Sequence, residues 1–114
     1  MSDRRDIHSL QDIQEAASRI AAYTAGMTYA TFLEDPKTQD AVIRNLEIIG
    51  EATKHLSAEF RERYSAIPWQ EMARLRDRLI HHYFGINLDI VWQIVSAELP
   101  DVALDTEAII RNMN

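Results

Sequence analysis

Arg76, Asp77, His81 and Tyr83 fall within eight residues, at the end of the segment Pro68-Trp69-Gln70-Glu71-Met72-Ala73-Arg74-Leu75-Arg76-Asp77-Arg78-Leu79-Ile80-His81-His82-Tyr83. These side chains suit one kind of chemistry. The planar fork of a guanidinium grips a phosphodiester better than an ammonium does. It can also stabilise the charge that develops on a pentavalent phosphoryl transition state. An imidazole titrates near neutrality, so it can take a ribose 2′-hydroxyl proton or protonate a leaving oxygen.

Such residues work only if the chain brings them together. Read as one helix from Pro68 to about His82 or Tyr83, the segment places Trp69, Met72, Ala73, Leu79, Ile80 and Tyr83 within about 60° of Arg76. Arg76 is then expected in the middle of the apolar arc, and Arg74 and Arg78 on the solvated far side. A buried guanidinium loses several kcal/mol of hydration unless a partner replaces it. Two readings follow: Arg76 pairs with a carboxylate on another helix, Glu51 being one candidate, or it lines a cleft that receives a phosphate. Asp77 stands four residues before His81, so on that helix they share a face and could hydrogen-bond. His81 itself projects about 140° from Arg76. The two converge only if the helix loosens near His81 or if two chains contribute across a dimer.

Three glycines and three prolines punctuate the 114 residues, and no β-branched alternation is sustained. The pattern predicts an all-α single domain over residues 1–114, a bundle of four to five helices with short loops. A first helix is expected from Arg5 to Tyr23, with Ile7, Leu10, Ile13, Ala17, Ile20 and Ala21 inward and Gly26 ending it. Asp35-Pro36 reads as an N-cap followed by a first-turn proline. It opens a helix to about Leu56, in which Gly50 suggests a close helix crossing. A short segment over Ala58–Tyr64 follows. After the segment from Pro68, Phe84-Gly85-Ile86-Asn87 reads as a tight connection, Leu88 to Leu99 as a helix, and Pro100-Asp101 as a bend into the last helix.

Composition narrows the function. The net charge is −6, yet residues 61–82 carry +2 while residues 1–60 and 83–114 each carry −4. Positive charge is therefore local, which disfavours broad non-specific duplex binding and suits a grip on one anionic segment. There is no cysteine for disulfides or thiolate metal sites. His81-His82 are adjacent, and no His-Glu-x-x-His, Gly-rich phosphate loop or nucleophile-elbow serine occurs. No metal and no cofactor are expected. Neither a secretory leader nor an apolar run of membrane-spanning length is present, so a cytoplasmic protein with no membrane association is expected.

Arg76-Asp77-Arg78-Leu79-Ile80-His81-His82-Tyr83 resembles the Arg-(polar)-x-x-x-His-x-Tyr signature of HEPN domains. Ile48-Ile49-Gly50-Glu51-Ala52 and Phe84-Gly85-Ile86-Asn87-Leu88-Asp89-Ile90-Val91-Trp92 resemble the HepT-like branch. The resemblance implies a helical bundle that forms a homodimer with both signature motifs in one intersubunit cleft. It also implies metal-independent RNA cleavage, with tRNA as a substrate class, by a toxin whose catalytic residues are Arg76, His81 and Asp77. The implied partner is an MNT-type nucleotidyltransferase antitoxin that transfers AMP onto the tyrosine two residues after the histidine, here Tyr83. The sequence departs from the family's usual pattern at Asp77, where Asn is commoner, and at His82, where Gly is often found. The alternative function is a non-catalytic helical module that binds a nucleotidyltransferase.

Overall fold

The computed structural model describes residues 3–81 and 85–113, with only the backbone of Asp3 and His81. Helix α1 (Asp3–Thr24) lies along α3 (Pro36–Lys54) and also packs on α8 (Leu99–Met113). Leu10, Ile13, Ala16, Ala17 and Ile20 of α1 are buried, at the three-to-four spacing of one helix face. Ala16 takes the inward place expected of Ala21, which is exposed. From α3, Val42, Leu46 and Ile49 complete this interface, each fully buried.

The caps explain where these helices begin. The Asp35 carboxylate accepts from the Thr38 backbone N–H at 3.0 Å and the Thr38 hydroxyl at 2.7 Å, with Pro36 opening the first turn. The backbone bond, then the hydroxyl bond, holds the Asp35 pKa below its ordinary value. Gly26 adopts φ +77° just beyond α1. Helix α2 (Tyr29–Leu33) follows, started by a Thr28–Thr31 capping box. Helix α4 (Ala58–Arg63) is tied back to α1, because Asp6, buried, accepts from both the backbone N–H and the hydroxyl of Ser57 at 2.8 Å.

The expected single helix from Pro68 is in fact broken. It divides into α5 (Trp69–Ala73) and α6 (Leu75–Leu79), hinged at Arg74 (φ −98°, ψ 13°). Buried Trp69, Met72, Leu75 and Leu79 are spaced three, three and four residues apart. A uniform 3.6-residue helix would turn Trp69 away from Leu75; the tighter hinge lets both face the core. After Leu79 the chain becomes extended, Ile80 having ψ 127°. Strand β1 (Ile80–His81) pairs antiparallel with β2 (Gly85–Ile86), and Asn87 N–H donates to Leu79 O at 2.8 Å. Of the connection expected at 84–87, Gly85 and Ile86 form the return strand of this small ladder, and Phe84 lies outside the described residues.

Asn87 caps α7 (Leu88–Gln93), which runs through a π-helical turn (Ile94–Glu98) into α8 without a gap. The bend expected at Pro100 is absorbed there. Pro100 lacks an N–H and its ring crowds the carbonyl four residues back, and a widened turn relieves both. The protein is an all-α bundle of three long helical elements, braced by short helices α2, α4, α5 and α6. Among the described residues, no helix is long and apolar enough to cross a membrane.

Candidate active site

The arginine-bearing helix is positioned from α3. Gly50 is buried against the hinge: a Cβ built there would lie 3.4 Å from Met72 O, 3.7 Å from Ala73 O and 3.7 Å from Leu75 Cβ. The close crossing suggested by Gly50 is therefore present, and it falls on the break in the segment carrying Arg76. A methyl group would still fit there; a larger side chain would push α3 off the hinge.

Beside this contact lies a groove of about 400 Å³ lined by Arg44, Glu47, Ile48, Glu51, Lys54, Ala73 and Arg76, with Gly50 at its base. Arg76 is exposed here, not buried in an apolar arc. The hinge is the reason, since it turns Leu75 inward and leaves Arg76 at the edge. Among the described residues Arg76 forms no ion pair; its candidate partner Glu51 instead stands 3.7 Å from His55 on its own helix. An exposed guanidinium keeps its hydration until a ligand arrives and can then offer its full fork to an anion.

Arg78 behaves oppositely to its expected solvated role. It reaches across to Glu98 in the π turn with two hydrogen bonds, 3.0 and 2.8 Å long. Both side chains are about two-thirds buried. These bonds raise the Arg78 pKa further above its ordinary value, against the opposing effect of burial. Helix α6 has only five residues, too few to persist alone. It is held by the buried Leu75 and Leu79 and by this bidentate clamp. The clamp borders a second cleft, of about 300 Å³, floored by Met72, Leu75, Ile94 and Val102. Glu71, Glu98, Asp101 and Asp105 surround Arg78 there, so the cleft is net negative and repels phosphate. The Arg76 groove has three cations against two carboxylates.

Asp77 is exposed in the first turn of α6. The helix face it was expected to share with His81 is not formed, because the helix ends at Leu79 and His81 belongs to β1, and the His81 side chain lies outside the described residues. The same ending removes the 140° helical offset between Arg76 and His81, the loosening their convergence requires. Tyr83 and His82 lie outside the described residues. Sequence reasoning missed Arg44 and Lys54, although Arg44, Glu47, Glu51 and Lys54 repeat at steps of three and four, a polar stripe on one helix face. It also missed the Arg78–Glu98 clamp, which no local spacing signals.

The profile of a family described as HepT-like, ribonuclease HepT-like, matches residues 13–109. The chain belongs to this family. A provisionally named RNase of Methanocaldococcus jannaschii is 49% identical over 111 residues, covering 96% of this chain and 92% of that protein. A probable ribonuclease HepT of Thermococcus cleftensis is 47% identical over 93 residues, covering 82% and 84%. A provisionally named RNase of Caldanaerobacter subterraneus is 40% identical over 104 residues, covering 91% and 89%. No solved structure matches. This HepT-like chain thus carries, in its family's ribonuclease domain, a groove suited to an anionic strand.

Proposed function

We propose that this HepT-like protein is a metal-independent ribonuclease toxin that cleaves RNA, tRNA in particular, through Arg76 and His81 in the cleft of a homodimer. The observation that carries this reading is the exposed Arg76 guanidinium, held in a net positive groove by a clamped helix and without an ion-pair partner among the described residues. Arg76 binds the scissile phosphodiester and stabilises the charge on its transition state. The ribose 2′-oxygen attacks phosphorus as its proton leaves, and the 5′-oxygen departs with a proton, leaving a cyclic phosphate. His81 supplies one or both proton transfers.

Dimer formation is favoured by an apolar pair beside the site. Ile80 and Ile86 face each other across the two-stranded ladder, 48% and 37% exposed. Burying them against a second copy would bring a second His81 near the first. Control comes from a nucleotidyltransferase antitoxin that transfers AMP onto Tyr83, whose added phosphate then occupies the guanidinium in place of RNA.

Purified protein incubated with tRNA in EDTA, beside Arg76→Ala and His81→Ala, tests the activity. Cleavage by the wild type alone is expected; equal behaviour of all three proteins points instead to a non-catalytic module. With an active nucleotidyltransferase and ATP, the mass of the wild type rises in multiples of AMP and that of Tyr83→Phe does not. An unchanged wild-type mass removes the modification.

A further inference from the structure

The groove holds two further cations besides Arg76, Arg44 and Lys54. Arg44 and Lys54 stand ten residues apart on α3, a span of about 15 Å along the helix axis. Gly50 lies between them, and the hinge that leads into Arg76 crosses the helix at that point. The steps Arg44, Glu47, Glu51 and Lys54 keep all four side chains on one face, and all line the same groove as Arg76. Arg44, Lys54 and Arg76 are exposed, and among the described residues none of the three forms an ion pair. This sets them apart from Arg19, Arg63 and Arg111, each paired with a glutamate one turn away.

We infer that Arg44 and Lys54 are phosphate-binding residues for a single RNA strand laid along α3, one on each side of the phosphodiester held by Arg76. This rests on the ribonuclease reading and extends it to the substrate's flanks. A single row of cations follows one strand, whereas a duplex presents two. Glu47 and Glu51 lie between the cations and repel phosphate, so the backbone is held at the three positive positions and kept off the intervening stretch. The sequence-independent grip comes from the row; Arg76 alone meets the reacting group.

Salt dependence counts such contacts. For a single strand the slope of log affinity against log salt is roughly −0.7 per phosphate neutralised. Fluorescence anisotropy with a labelled 2′-O-methyl oligouridylate, which cannot be cleaved through its 2′-oxygen, reads binding apart from chemistry. The wild type should give a slope near −2, and Arg44→Ala and Lys54→Ala should each reduce its magnitude by about 0.7. Arg111→Ala, outside the groove, should leave the slope unchanged. On tRNA the two groove variants should raise KM and leave kcat in place. Slopes for Arg44→Ala and Lys54→Ala that match Arg111→Ala overturn the inference, as does tighter binding of a duplex of equal length. Failure of the ribonuclease reading shows differently, as full cleavage by Arg76→Ala, and leaves the slopes to decide the binding row.

Discussion

Arg76 and Asp77 are neighbours in sequence with opposite effects on an incoming phosphate. In the proposed reaction Arg76 attracts it from the groove, while Asp77, exposed in the same short helix, places a carboxylate nearby. Two exposed charges a few ångströms apart in a solvated site interact by about 1 kcal/mol or more. Asp77→Asn should therefore raise kcat/KM on tRNA, by about three- to tenfold at low salt and less at high salt, where screening is stronger. A fall in kcat/KM at both salt concentrations would assign Asp77 a constructive role in the chemistry.

Among the elements, α6 is the one whose placement is most conditional. Its five residues sit between a hinge at Arg74 and an extended Ile80, so they depend on neighbours for their position. The Arg78–Glu98 clamp joins α6 to the π turn, and Pro100 gives that turn its reason to exist. Breaking a partly buried pair from one side leaves the other charge poorly solvated. Arg78→Ala should cost about 1–3 kcal/mol in unfolding free energy, less than a fully buried pair because solvent reaches both partners. It should lower kcat more than it raises KM, since Arg76 is misplaced but not removed. Denaturant unfolding beside steady-state kinetics checks both; unchanged kinetics would limit the clamp to stability. None of this was legible in a wheel drawn around Arg76. That projection assumed one uniform helix, and the hinge depends on α3 approaching through Gly50 and on Leu75 turning inward, both tertiary events. By contrast, Asp35-Pro36 and Gly26 did announce their helix boundaries, because capping and left-handed turns are settled by local backbone chemistry. The glycine also announced its crossing, but not what lay across it.

On the scale of the whole molecule, charge is sorted by face. The chain carries −6 overall, yet the groove on one side of α5–α6 is net positive and the cleft on the other is net negative. On the proposed reading, RNA would enter on the positive side. The Ile80–Ile86 pair marks the adjoining surface, and exposed apolar groups of this kind gain by association. Sedimentation should find a dimer for the wild type and a monomer for the double variant Ile80→Glu, Ile86→Glu, with tRNA cleavage lost together with the dimer. A monomeric variant that still cleaves would place the complete site in one chain. The central claim is that Arg76 and His81 act on one phosphodiester, and single-turnover cleavage of tRNA in EDTA tests it most directly. Rates for the wild type, Arg76→Ala, His81→Ala and the double variant are needed, because groups that act as a unit are not additive. Each single variant should fall by at least about 100-fold, and the double variant should be little slower than the worse single. A wild-type rate in either single variant, or losses that multiply in the double, would contradict it.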